Sequence, residues 1–229
     1  KHAQALRQRV DAVLHIDESI RLQKEIVEQL RTQRDTEAEK LTKSREKSAR
    51  QVEKELKLSL QSMGMPHVQI AIQLTPRSEP DETGADRVTF LFSANKNIPP
   101  QDVSEIASGG EIARLMLAIK ALISRRTHLP SIIFDEIDTG VSGNMAEKMA
   151  RVMQQIAENC QVICITHLPQ IAAAGTHHFC VYKEENTEAT RSYIRPLTAE
   201  ERINEIAHML SGQELTEAAI NNAKALLQL

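Results

Sequence analysis

The first 61 residues contain neither glycine nor proline. A stretch with no helix breaker and this much charge is expected as one long helix. Leu6, Val13, Ile20 and Val27 recur every seven residues, with Val10, Ile16 and Leu30 beside them. That spacing draws an apolar seam through about four heptads, the pattern of a coiled coil. From residue 31 to residue 51 only Ala38, Leu41 and Ala49 are apolar, and Val52, Leu56 and Leu60 then restore the seam. A helix this polar gains little alone. The seam therefore implies a partner helix, and residues 1–61 are expected to be half of an antiparallel arm.

Gly64 and Pro66 end that helix. Residues 67–74 alternate as a strand, with Val68, Ile70, Ile72 and Leu74 on one face. Residues 87–93 read as a second strand, so the two form a hairpin around a polar turn region at 75–86. A loop at 94–107, with Pro99 and Pro100, leads into the most informative segment.

Residues 108–143 read SGGEIARLMLAIKALISRRTHLPSIIFDEIDTGVSG. A Ser-Gly-Gly-Glu turn opens a helix. Its unpaired N–H groups and dipole suit an anion, and the glycines allow close approach. Ile112, Leu115, Met116, Ile119, Leu122 and Ile123 give this helix a broad apolar face. Ile132, Ile133 and Phe134 are apolar on both faces, as in a covered parallel strand. Asp135 and Glu136 then lie at the strand's carboxyl end, where open α/β sheets bind ligands. One carboxylate can serve a magnesium ion and the next can orient a water. Residues 161–166 form a second buried-type strand, followed at once by His167.

Residues 142–158 read as a further helix with Met145, Met149, Val152, Met153 and Ile156 inward, where the methionines fill core. Strands at 178–182 and 190–195 flank a polar turn. Thr198 and Glu201 make a capping box for a helix ending near Gly212, and a last helix covers 214–227. Alternating helices and strands make residues 62–229 α/β. Cys160, Cys164 and Cys180 are odd in number and lack metal spacing, as reduced thiols of a cytoplasmic protein would. A net charge of -3 argues against a uniformly basic nucleic-acid coat. No run approaches the roughly 18 apolar residues of a membrane span.

The order of these parts resembles the ATP-binding-cassette class of ATPases. SGGE at 108–111 resembles the cassette signature, IIFDE at 132–136 the Walker B strand with its catalytic glutamate, residues 138–143 the D-loop, and His167 the switch histidine. A complete ATPase of this class also needs a phosphate loop, G-x-x-x-x-G-K-[ST], and none of the eight glycines here is followed by lysine. A coiled coil stands where that loop would be. This is the layout of the SMC-like split heads, in which an N-terminal half carries the phosphate loop. Within that group the runs IASGGEIARLMLAIKAL, IIFDEIDTGVSG, ITHLPQIAA and EERINEIAHMLSG resemble a family of bacterial double-strand-break repair proteins.

The resemblance implies the C-terminal lobe of a cassette-type head, with a mostly parallel sheet and flanking helices, preceded by half of a coiled-coil arm. It implies ATP hydrolysis with Mg2+ between two heads and an action on DNA. Asp135 would hold magnesium through a water, Glu136 would orient and deprotonate the attacking water, and His167 would contact the γ-phosphate or that water. Ser108, Gly109 and Gly110 would bind the nucleotide of an opposing head, and Asp138 would help to join the two heads. Implied partners are DNA, the N-terminal half and a second copy of the protein, with no membrane; the implied location is the nucleoid. A transporter-type ATPase subunit and a non-catalytic dimerisation module are the alternatives. The arm and missing phosphate loop oppose the first, and the intact Asp135, Glu136 and His167 oppose the second.

Overall fold

The computed structural model describes residues 2–105, 109–127, 129–186, 189–212 and 215–229. Helix α1, His2–Ser62, runs unbroken for 61 residues. It ends at Gly64, whose φ of 82° only glycine adopts freely. Strands β1, Gln69–Asp81, and β2, Gly84–Ser93, follow it. The chain divides into two compact units, Lys1–Val52 with Ile72–Phe90, and Glu53–Ala71 with Leu91–Leu229.

In the first unit the strands run straight through the segment expected as a polar turn at 75–86. Only Glu82 and Thr83 remain outside them. The alternation fades there because the apolar signal is replaced by a polar network. Asp86, 5% exposed, accepts from the Thr42 hydroxyl at 2.7 Å and from Arg45 Nη1 at 3.1 Å. Arg45 Nη2 also donates to the Thr83 carbonyl at 2.6 Å, and Arg77 Nε donates to the Asp86 carbonyl at 3.2 Å. The tip turns on the Asp81 carboxylate, which accepts from the Thr83 amide at 2.8 Å and its hydroxyl at 2.6 Å. Gly84 has φ 107°, and a Cβ there would lie 2.8 Å from a Leu41 methyl. Along α1, Ala38 and Ala49 are buried, while Leu6, Val10, Val13, Ile16, Ile20, Val27 and Leu30 are exposed.

In the second unit the end of α1 buries Leu56, Leu60 and Met63, the i and i+4 pair that the seam predicts. The expected loop holds a short strand, β3, Gln101–Asp102. It pairs antiparallel with β2 through Leu91 opposite Asp102 and Phe92 opposite Gln101. A single 3-10 turn, Val103–Glu105, follows. Then come α2, Gly109–Ser124, β4, Ser131–Asp135, α3, Gly143–Ala157, and β5, Gln161–Ile165. A short helix α4, Pro169–Ala174, was not anticipated. β6, Phe179–Asn186, and β7, Ala189–Pro196, pair antiparallel, with Tyr182 stacked on Tyr193 at 5.6 Å. The chain closes with α5, Ala199–Ser211, and α6, Glu217–Leu227. Residue 214, the expected start of α6, lies outside the described residues.

β4 and β5 pair in parallel from Ser131 opposite Gln161 to Asp135 opposite Ile165. This is the parallel part of the described sheets; β2–β3 and β6–β7 are antiparallel. The parallel pair is also covered on one face only. Ile132 and Phe134 are buried, but Ile133 is 65% and Ile165 51% exposed, so β4 alternates where two-sided burial was expected. The inward face of α2 differs too. Leu115, Leu117, Ala118 and Ala121 are buried, whereas Met116 is exposed. The helix is apolar almost all round, so its pattern leaves the stripe undetermined. α3 buries Met149, Val152, Met153 and Ile156 as expected.

The capping box of α5 is present in full: the Thr198 hydroxyl accepts from the Glu201 amide and the Glu201 carboxylate from the Thr198 amide. Those bonds, with Arg195, hold the Glu201 carboxyl down to about 2. Ala173, Ile206, Ala207, Ala219 and Ala223 form the small-residue core joining α4, α5 and α6. Arg202 of α5 clasps the end of α4, with Nη2 donating to the carbonyls of Ala173, at 2.8 Å, and Gly175. No helix among the described residues is long and apolar enough to cross a membrane.

Asp86→Ala is expected to destabilise the first unit by about 1–3 kcal/mol, because the Thr42 hydroxyl and Arg45 guanidinium lose a buried acceptor. Amide exchange measured by residue should quicken in β1 and β2 around residues 75–90 and stay unchanged in β5. Equal acceleration in both would mean the network does not hold the hairpin locally.

Candidate functional site

The parallel pairing of β4 and β5 brings the sequence-predicted residues together. Two adjacent strands end level, with Asp135 opposite Ile165. The ladder continues one step further, as the Glu136 amide donates to the Ile165 carbonyl at 3.2 Å. Asp135, Glu136 and His167 therefore leave the sheet side by side, and all three are exposed.

Glu136 has φ 46°, a left-handed backbone that costs a non-glycine residue of order 1–2 kcal/mol. Three hydrogen bonds hold it there. Its amide is fixed by Ile165, and its carbonyl accepts from the Thr139 amide at 3.3 Å and the Thr139 hydroxyl at 2.9 Å. The backbone is thus bent where the side chain must leave the sheet plane. Strain held in place by surrounding bonds is characteristic of functional positions.

Asp138 lies differently from the exposed pair. Its side chain is 0% exposed and turns inward. Oδ2 accepts from the Thr166 hydroxyl, which in turn accepts from the Leu168 amide at 3.0 Å. Oδ1 has no hydrogen-bond partner and lies 3.6 Å from Nδ1 of His167. A carboxylate with no exposed surface cannot itself reach a second molecule; Thr139, Gly140, Ser142 and Gly143 are the exposed residues of the 138–143 segment. Thr166 is the residue that sequence reading missed. Its signal was a hydroxyl at the strand end immediately before the histidine.

The loop after β4 also meets the start of α2. A Cβ on Gly110 would sit 3.1 Å from the Gly140 carbonyl oxygen, so the two segments touch backbone to backbone. Gly140 takes φ 73°. A Cβ on Gly109 would meet nothing within 4 Å. Ser108 lies outside the described residues. Arg114 is partly buried and bonded within the protein. Its Nε donates to the Gly110 carbonyl at 2.9 Å, and Nη1 faces Met145 Sδ at 3.7 Å. Burial holds the guanidinium below its ordinary value, with Glu111 pushing the other way.

Cys164 pairs opposite Phe134 in the sheet. Burial, and then the Asp138 charge, push its thiol up to about 11, so it is a packing residue and not a nucleophile. Among the described residues no three His, Cys, Asp or Glu side chains gather to hold a metal. Magnesium is commonly held by only one or two carboxylates together with water and phosphate oxygens, and an exposed carboxylate such as Asp135 would suit it.

No family model matches the chain. It is 36% identical over 228 residues to the DNA repair protein RecN of Vibrio cholerae, covering 99% of this chain and 41% of that protein. It is 34% identical over 233 residues to RecN of Halalkalibacterium halodurans, covering 100% and 41%. To RecN of Bacillus subtilis it is 44% identical over 147 residues, covering 64% and 26%. The chain thus spans about two fifths of the length of the first two relatives. Among solved structures it resembles the Smc head domain with a coiled coil and joint from Pyrococcus yayanosii, with TM-score 0.55 and 18% identity over 70% of this chain and 29% of that one. It also resembles the Smc head domain with an extended coiled coil from Pyrococcus furiosus, with TM-score 0.50 and 16% identity over 70% and 38%. Those two likenesses establish the fold, a cassette head of the SMC type built from helices with parallel and antiparallel sheets. At 34–36% identity across its whole length, the chain belongs to the RecN family of DNA repair proteins.

Proposed function

We propose that this chain is the C-terminal half of an SMC-like ATPase of double-strand-break repair, which hydrolyses ATP between two heads to act on DNA. Residues 1–61 are its arm segment and 62–229 its head segment. The observation that carries the proposal is the trio Asp135, Glu136 and His167, exposed together at the ends of two parallel strands, with the Glu136 backbone bent outward. None of the three side chains is buried in a core, so packing does not account for the trio.

The chain's own residues cover one side of a nucleotide. Bound ATP supplies the phosphoryl group that passes to water, and Mg2+ neutralises charge on it. Asp135 would hold the ion, most simply through a water. Glu136 orients the attacking water and takes its proton. His167 presents its ring to the γ-phosphate or to that water. Gly109 and Gly110, at the start of α2, offer amide groups to the nucleotide of a second head, and Ser108, which precedes them in the sequence, offers its hydroxyl. The loop at 138–143 joins the heads through its exposed residues, Thr139 and Gly140 among them, because the Asp138 carboxylate is buried.

The phosphate loop belongs to the N-terminal half of the same protein. Two features support this reading. The relatives are more than twice as long as this chain, and Ile133, Ile163 and Ile165 form an exposed apolar face on the β4–β5 sheet that needs a cover. The same logic gives the exposed seam of α1 a partner helix from that half. The protein works at the nucleoid of the cytoplasm and pairs with a second copy when ATP is bound. This chain alone should turn over ATP negligibly, and adding the N-terminal half should restore turnover. Robust hydrolysis by the purified chain, abolished by Glu136→Gln, would sink that assignment.

In the full-length protein Glu136→Gln should keep ATP affinity and slow hydrolysis by roughly 10²–10⁴, the worth of a positioned base. Asp135→Asn should instead weaken Mg2+-dependent binding. Equal loss of binding in both variants would contradict their separate roles.

The two glycines of α2 separate packing from contact. Gly109→Ala has open space around its new methyl, so thermal stability should be unchanged while ATP-dependent head pairing falls. Gly110→Ala presses on the Gly140 carbonyl and should lower stability by about 1 kcal/mol as well. Normal pairing by a stable Gly109→Ala protein would speak against a contact at this helix start.

A further inference from the structure

We infer that Asp138 is the positioning residue of His167, holding its ring through Nδ1–H so that Nε2 is left for the reacting groups. The inference rests on the reading of His167 given above and adds a residue to it.

Three observations carry it. Asp138 is a charged side chain with no exposed surface, and an isolated buried carboxylate is costly unless its oxygens are used. One oxygen is used, by the Thr166 hydroxyl. The other has no hydrogen-bond partner, and Nδ1 of His167 lies 3.6 Å from it. The histidine side chain is 67% exposed, so little else restrains the ring. A small movement of that free ring completes the bond. Catalytic hydrogen bonds are often long before the substrate arrives and tighten afterwards.

The geometry also fixes which proton the ring carries. A carboxylate only accepts, so Asp138 selects the tautomer with hydrogen on Nδ1 and leaves Nε2 as the free acceptor. The Thr166 bond keeps the carboxylate from rotating away. Asp138 and Thr166 come from the loops after β4 and β5, so they tie Glu136's loop to His167's. Asp138 touches no substrate; it acts through the histidine.

The test uses the full-length protein labelled with ¹⁵N at histidine. At alkaline pH, where the rings are neutral, the His167 resonance should report Nδ1–H in the native protein. In Asp138→Asn it should move toward the ordinary mixture of tautomers. ATP turnover should fall about 10–100-fold in Asp138→Asn, as when an orienting partner is lost, with kcat reduced and KM little changed. On a His167→Ala background the same substitution should cost nothing further. An ordinary tautomer mixture in the native protein would overturn the inference, and so would a full additional loss on the His167→Ala background. If Asp138→Asn does not fold, the native tautomer still decides. Should His167→Ala leave turnover unchanged, the catalytic reading of His167 fails, while the tautomer separately reports whether Asp138 holds the ring.

Discussion

The site depends on one parallel strand pair. Parallel pairing sets the carboxyl ends of β4 and β5 level, and the extra bond from the Glu136 amide to Ile165 stretches the ladder past the last strand residue. That bond and the two from Thr139 to the Glu136 carbonyl together hold the left-handed backbone at Glu136. The same pairing puts Thr166 beside Asp138. A slip of one residue would turn Ile132 and Phe134 outward and separate the carboxylates from the histidine. Burial of those two side chains therefore fixes the chemistry as firmly as any polar contact does.

The sequence made some elements legible and hid others for physical reasons. α3 could be read because its apolar residues recur at one helical period and its polar ones fill the rest. α5 could be read from its capping box. The outer halves of β1 and β2 could not, because Arg77, Asp81 and Asp86 replace apolar alternation with hydrogen bonds, those of the Asp86 carboxylate coming from Thr42 and Arg45, distant in sequence. α4 is six residues long, too short to show a period. The inward stripe of α2 was misplaced because a helix that is apolar on most sides offers several stripes.

Site residues divide in the same way. The placement of Asp135, Glu136 and His167 at the strand ends was legible because strand ends can be located from apolar runs. The direction of Asp138 was not. It sits in a loop, where spacing says nothing about which way a side chain points. Only the pairing of the loops after β4 and β5 shows it facing Thr166.

The contact between Gly110 and Gly140 has a mechanical consequence. Side chains usually form a compliant layer, since rotamers absorb small displacements before backbones respond. Here the Gly140 carbonyl and the Gly110 backbone touch with no such layer between them. A shift of a few tenths of an ångström in the loop after β4 is therefore passed undamped to the first turn of α2, and from there along a rigid rod of 16 residues. The junction behaves as a hard bearing, and its stiffness comes from the absence of side chains on both of its surfaces.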